Sequence, residues 1–322
     1  PDANKFMFPK MEMTESPLSE IGYAYHLDAN LYAKYLRGYS QERGVTRTEG
    51  KVVEVNLRPD DGFIASIRLE NGTIIEGDLF IDCTGFRGLL IEEAMHTGYD
   101  SWDKWLFCDR AIAVPCKSSG DFPPYTVSTA LDSGWQWKIP LQHRTGNGHV
   151  YSSQFLDDQT AEATLLNSLD GEPTNEPLRL KFTVGKRKKL WNKNCVAVGL
   201  SGGFLEPLES TGLYMIQSAM VRLVRYFPDR SFNQTNIDEF NRQATFEFER
   251  IRDFIVLHYK ATEREDTEFW RKCKNAEIPD TLAEKIELFK ANGRVFREAD
   301  ELFAEESWIQ VFLGQGIIPT NY

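Results

Sequence analysis

The sequence predicts an α/β protein with a β-meander, a second sheet and a helical carboxyl-terminal region. Three observations carry that expectation. Alternating stretches separated by tight turns fill residues 51–83, strand-rich text returns over 105–160, and beyond Thr211 apolar residues recur at helical spacing. The 322 residues can bury the core of one large domain or two modest ones.

The elements follow in order. Residues 1–20 are irregular, broken by Pro9 and Pro17. A helix is expected from Ile21 to Gly44, with Asp28 able to cap, Leu31, Tyr35 and Leu36 on one face, and Gly44 as its stop. Lys51–Leu57 and Phe63–Leu69 alternate around Pro59-Asp60-Asp61-Gly62, and Asn71-Gly72 turns the chain into Thr73–Ile75. Leu79–Cys83 is a short buried strand that ends on Thr84-Gly85. A small-residue turn at the carboxyl end of a strand is where an α/β sheet accepts a ligand. Arg110–Cys116, Tyr125–Leu131, Gly134–Ile139 and Gly148–Phe155 make an antiparallel second layer, and Leu180–Phe182 and Cys195–Val198 are two further strands. Helices are expected over Thr211–Phe227 and Ile237–Tyr259. A third opens with the capping-box pattern Thr281-x-x-Glu284 and closes at Gly293.

Composition narrows the function. Hydrophobic residues make up 41% and charged residues 26%, as in a globular protein. No stretch approaches the ~18 apolar residues of a membrane helix, so no membrane partner is expected. A net charge of −11 repels phosphate backbones and argues against nucleic acid. Five cysteines, at 83, 108, 116, 195 and 273, form no CxxC pair, so no metal site is expected, and their odd, scattered count fits a reducing cytoplasm. Lys186-Arg187-Lys188-Lys189 is expected on a solvated surface. The histidines do not cluster, and His26 beside Asp28 reads as a hydrogen-bonded structural pair. The chain begins at Pro1 without an initiator Met, and is expected to be a piece of something longer.

Two stretches could carry chemistry. In Val196–Gly212, a β-branched strand runs into Gly199, Gly202 and Gly203, then Pro207, then a helix start at Ser210-Thr211-Gly212. Glycines let backbone approach a bulky ligand, and a helix start offers unpaired amides to an anion. Glu206 and Glu209 precede that start, where a carboxylate is favoured. Taken alone, the segment is equally accounted for by a glycine-rich loop with an acidic first turn. The second stretch is Gly134-Trp135-Gln136-Trp137-Lys138-Ile139-Pro140. Its two tryptophans share one face of a strand. They suit a core strand, or alternatively the wall of a tunnel or planar-ligand site.

Together with Gly77–Gly88, these stretches resemble the flavin-dependent tryptophan halogenases. Gly134–Pro140 matches that family's W-x-W-x-I-P signature, and FLEPLESTGLY at Phe204–Tyr214 matches its catalytic glutamate segment. Asp82–Arg87 matches its strand-turn after the meander, while Tyr23–Ala29 and His258–Arg264 also read as family text. The resemblance covers essentially the whole chain.

It implies an FAD-binding, glutathione-reductase-like (two-dinucleotide) fold with a helical substrate domain. The implied partition is residues 1–104 as the remaining FAD-binding part with the meander, 105–193 as the substrate-side sheet, 194–227 as the flavin/halide loop and helix, and 228–322 as the helical carboxyl-terminal region. The implied chemistry uses FAD, as FADH2 from a diffusing flavin reductase, with O2 and chloride or bromide, to halogenate a small aromatic substrate such as tryptophan or indole. By position in the motif, Glu209 is the catalytic glutamate. Thr211 and Gly212 would bind halide. Gly199, Gly202, Gly203, Thr84 and Gly85 would contact the flavin. Trp135, Trp137, Ile139 and Pro140 would bar organic substrate from it. A homodimer is left open. The chain departs from the family in having no G-x-G-x-x-G and no counterpart of the family's catalytic lysine, so on its own it is expected to be inactive. The rival readings are an FAD-dependent aromatic hydroxylase, separable by halide dependence of the product, and an inactive halogenase-like fragment.

Overall fold

The structure, a computed structural model, describes residues 4–12, 15–19, 22–120, 122–299 and 301–321. Its strands are β1 (Val52–Leu57), β2 (Ile64–Leu69), β3 (Ile74–Glu76), β4 (Phe80–Asp82), β5 (Tyr99–Ser101), β6 (Arg110–Cys116), β7 (Val127–Leu131), β8 (Gly134–Pro140), β9 (Thr145–Tyr151), β10 (Leu178–Lys181), β11 (Gly185–Arg187), β12 (Trp191–Asn192), β13 (Cys195–Ala197) and β14 (Gly203–Phe204). The α-helices are α1 (Ala29–Gln41), α2 (Asp158–Asn167), α3 (Gly212–Arg225), α4 (Gln234–Lys260), α5 (Glu268–Asn275), α6 (Asp280–Asn292) and α7 (Glu305–Gly314). The chain forms two compact units, one of residues 1–49 with 110–180, the other of 50–109 with 181–322.

In the first unit, α1 starts at Ala29 rather than at Ile21, which lies outside the described residues. The reason is Asp28: its Oδ1 accepts the amides of Asn30 and Leu31, so it caps the helix from extended backbone. Residues 22–28 before it are not helical, and Tyr23 is set edge-on to Phe6, Phe8 and Tyr25. Arg144 donates to Oδ2 of Asp28 at 2.9 Å, and this bond, with the Leu31 amide, holds the carboxyl below its usual range. His26 is structural, as expected, but Asp28 is not its partner. Its Nδ1 faces the Pro140 carbonyl at 3.0 Å and its Nε2 the Thr126 hydroxyl at 3.2 Å.

The second layer is a five-stranded antiparallel sheet in the order β10-β6-β9-β8-β7. Strand β9 begins at Thr145, before the expected Gly148, because it pairs with β6 along that strand's whole length. It ends at Tyr151, and the chain after it turns into α2 instead of continuing to Phe155. Periodicity did not reveal α2, whose only buried side chains are Ala161 and Leu165. Those two pack with Ile112, Val114 and Tyr151 on one face of the sheet. Strand parity puts Trp135 and Trp137 on the other, with ring centroids 5.9 Å apart. Trp137 sits opposite Gly148, where an added Cβ would lie 2.0 Å from the indole. Gly148→Ala is therefore expected to push the indole aside, at a cost of about 1–3 kcal/mol. Near-ultraviolet circular dichroism of the tryptophan pair and the thermal midpoint report it, and an unchanged spectrum and midpoint would refute the packing.

The second unit holds the meander, β1-β2-β3, where expected. Asn194 pins it. Its Oδ1 accepts from the Ile64 amide at 2.8 Å, and its Nδ2 donates to the carbonyls of Ile64 and Asp78. A second small sheet, β12-β13-β4, contains the parallel pair of β4 and β13. Ile64, Phe80, Leu90, Ile91, Cys195 and Ala197 form the core around it. The third, β14-β11-β5, corrects half of the reading of the basic run, of which Lys188 and Lys189 are exposed as expected. Lys186 and Arg187 are buried in β11, paired with Asp100 and Glu92. A run of four charges gives no sign of the carboxylates that wait for it elsewhere in the chain. The capping box is also absent. Helix α6 starts two residues earlier than a Thr281 N-cap would place it, after Pro279, and Thr281 donates its hydroxyl to Oδ2 of Asp253 at 2.6 Å. The hydroxyl hydrogen goes to a buried carboxylate in a charge-assisted bond, and the helix has already begun upstream of Thr281. Gly293 closes α6 at φ +67°, as expected. Among the described residues, no helix is long and apolar enough to cross a membrane.

Candidate active site

Strands β4 and β13 run parallel, so the turns after them leave from the same edge. One is Thr84-Gly85, the other the 199–203 loop. Asp82, fully buried, organises the first. Its Oδ1 accepts the amide and hydroxyl of Thr84, and its Oδ2 accepts the amides of Leu90 and Ile91. That carboxylate thereby caps the short π-helix Leu89–Ala94. The carbonyl of Asp82 in turn accepts the Ser201 hydroxyl and, at 3.0 Å, the Val198 amide. Arg187 joins both turns. Its guanidinium donates to the Ser201 carbonyl at 3.0 Å, to the Phe86 carbonyl at 3.3 Å and to Glu92 at 2.9 Å.

The glycines divide by what surrounds them. Gly199 has φ +70°, a conformation costly for other residues. A Cβ on Gly203 would meet the Gly185 carbonyl at 2.6 Å, and one on Gly202 the Leu190 side chain at 2.8 Å. Those two are small because the protein packs against them, although both line the adjoining cavity. Gly85, at φ +74°, and Gly212 have no heavy atom within 4 Å of an added Cβ. They are the glycines that leave backbone open to a ligand.

The 199–203 loop, Thr211, Gly212, Met215 and Ile216 line an apolar cavity of about 160 Å³. Clefts that enclose a drug-sized ligand run to roughly 300–1,000 Å³. This one suits a small ion or the edge of a flat ring.

Leading into α3, Pro207–Glu209 forms a 3-10 turn and Ser210 takes φ +54°, a left-handed kink that redirects the chain. Thr211 is the N-cap, but its side chain makes no capping bond. The first-turn amides of α3 therefore face outward from the positive end of the helix, next to Glu209.

The structure adds a residue that the sequence reading passed over. Nε2 of His258, in the last turn of α4, lies 2.9 Å from Oε1 of Glu209. Its neighbour Tyr259 donates its hydroxyl to Oε2 of the fully buried Glu206 at 2.5 Å. Burial pushes the Tyr259 hydroxyl and the nearby Cys108 thiol well up from their ordinary values. The overlooked signal was polar His258-Tyr259 closing an apolar helical stripe.

The second unit thus brings together Glu209, Thr211, Gly212, the 199–203 loop and Thr84-Gly85. Trp135, Trp137, Ile139 and Pro140 lie along β8 of the first unit.

A family model described as tryptophan halogenase matches residues 2–322. The chain is 37% identical to the tryptophan 6-halogenase ThaL of Streptomyces albogriseolus over 319 residues, 93% of this chain and 60% of that protein. It is 40% identical to the tryptophan 7-halogenase RebH of Lentzea aerocolonigenes over 284 residues, 87% of this chain and 53% of that one. Among solved structures, BrvH, a flavin-dependent halogenase from Brevundimonas sp. BAL3, has a TM-score of 0.96 at 47% identity, covering 99% of this chain and 65% of that one. The chain therefore spans 60% or less of the length of these two curated relatives.

Proposed function

The chain belongs to the flavin-dependent tryptophan halogenase family, with its FAD-binding α/β fold, and from that premise we propose that it carries the halogenating site of an enzyme that uses reduced FAD, O2 and chloride or bromide on an aromatic substrate. The observation that carries the reading is the placing of Glu209 directly before the open amides of α3. A base and an anion cradle there share one turn of chain. Tryptophan is named for ThaL and RebH, whereas BrvH, at higher identity, is described only as a flavin-dependent halogenase. The substrate is accordingly an indole-type arene, of which tryptophan is one.

The cofactor, when bound, supplies the O2-derived oxidising power that turns halide into an electrophile. The residues present fit part of it. Gly85 and Gly212 leave open backbone, and Gly199, Gly202 and Gly203 line an apolar cavity suited to a ring edge. Thr211 and Gly212 hold the halide through backbone amides at the positive helix end. Glu209 accepts the proton from the ring carbon that has taken the halogen. The C–H electron pair returns to the ring and the carboxylate leaves protonated. Trp135, Trp137, Ile139 and Pro140 are assigned to the barrier between arene and flavin on the motif match alone. A diffusing flavin reductase is the partner, and the cytoplasm, where reduced flavin is available, is the compartment.

The test is halide-dependent product from the complete enzyme: with FAD, a flavin reductase, bromide and indole or tryptophan it should yield a brominated arene by mass. A hydroxylated product formed equally without halide would point instead to a monooxygenase. In crystals soaked in bromide, an anomalous peak is expected beside the Thr211 and Gly212 amides, and a site occupied only elsewhere would overturn the halide assignment.

A further inference from the structure

We infer that His258 is the positioning residue of Glu209, holding one carboxylate oxygen so that the other meets the substrate. The inference rests on the proposed role of Glu209 and goes beyond it. Glu209 ends a three-residue 3-10 turn and is followed by a left-handed Ser210, so no helix or strand of its own fixes its side chain. His258 stands in the last turn of the 27-residue α4, a far stiffer support.

The hydrogen bonds dictate where the protons sit. Nδ1 of His258 lies 2.8 Å from the Phe254 carbonyl. A carbonyl only accepts, so Nδ1 carries a hydrogen. Nε2 lies 2.9 Å from Oε1 of Glu209. Two lone pairs at that distance would repel, so a second proton lies between them. Written as imidazolium and carboxylate, the contact is a charge-assisted bond. A cation is also favoured at the carboxyl end of a helix.

The ring is held from its other side as well. Phe254 meets it edge-on, with centroids 5.0 Å apart, and is itself stacked on Phe303 and packed against Trp308. One residue along, Tyr259 grips Glu206. Consecutive residues of α4 thus hold both carboxylates of the 206–209 turn, Glu206 as the buried anchor and Glu209 as the working group. Oε1 of Glu209 is committed to the imidazole, and Oε2 is the oxygen left for the arene.

The test compares His258→Phe, which keeps a ring and removes the donor, with His258→Gln, whose amide can donate to Oε1. His258→Phe is expected to lower kcat for halogenation by about 10–100-fold, the range seen when an orienting partner is removed. KM for the arene should stay within about 2-fold. His258→Gln should recover at least about ten-fold of that loss. A His258→Phe enzyme as fast as the parent, or a His258→Gln enzyme as slow as His258→Phe, would overturn the inference. A second arm needs no turnover. In 15N-histidine-labelled protein, the His258 ring should show both nitrogens protonated and lose the Nε2 proton signature in Glu209→Gln. An identical ring signal in the two proteins would show that the pair does not exist. If instead the signal responds while Glu209→Gln still halogenates, the pair stands and the proposed role of Glu209 fails.

Discussion

Glu209→Gln is expected to lower the halogenation rate by about 10²–10⁴-fold, the range a positioned general base supplies, while reduced flavin is still consumed. Glutamine keeps the size and the acceptor oxygen of glutamate but cannot take a proton at neutral pH. Its amide NH2 can donate to Nε2 of His258, which is now 2.9 Å from a carboxylate oxygen. The 206–209 turn should therefore survive, and Gly85, Gly199, Gly202 and Gly203, proposed to face the flavin, lie on other turns. Oxidation of FADH2 followed by absorbance, beside product by mass, separates the two outcomes. Equal loss of both would mean that the substitution damaged flavin binding. Unchanged product would end the assignment of Glu209 as the base.

The largest stability effect is expected at Arg187. Arg187→Met keeps much of the buried length and removes the charge. It strips Glu92 of its guanidinium and leaves the Ser201 and Phe86 carbonyls without that donor. Removing one partner of a buried pair typically costs about 3–5 kcal/mol. Glu92 is 33% exposed and water recovers part of that loss, so about 2–4 kcal/mol is the expected cost. For a unit of this size the thermal midpoint should fall by roughly 5–15 °C. Arg187→Lys should restore only part of the loss, since an ammonium cannot reach two turns and a carboxylate at once. A midpoint within about 1 °C of the parent would show that the two turns hold together without it.

Much of this was legible because local rules sufficed. Alternation and Asn71-Gly72 located the meander, Gly85 and Gly199 marked turns that do take positive φ, and the tryptophans do share a face. What failed was set by partners distant in the chain. Asp28 works as a cap and an ion partner of Arg144, so helix periodicity could not run through it. Thr281 found Asp253, and Lys186 and Arg187 found Asp100 and Glu92. Spacing within a segment says nothing about which carboxylate arrives from elsewhere. Glu209, Thr211 and Gly212 were found side by side because one motif holds all three. His258 was not, because it approaches from the far end of α4.

The parallel pair of β4 and β13 has a consequence for the order in which the molecule is built. The Ser201 hydroxyl reaches the Asp82 carbonyl across 119 residues of chain, and residues 110–180 of the other unit lie in that interval. Their antiparallel strands are mostly joined by short connections and can zip up locally, whereas closing so long a loop is slow and entropically costly. During synthesis the second sheet is free to form while β4 still waits for its neighbour, its unpaired edge exposed. The paired end that carries the Thr84-Gly85 and 199–203 turns therefore matures later than the second sheet. Substitutions there should show first as slow refolding and aggregation during expression, before any deficit in the finished protein can be measured.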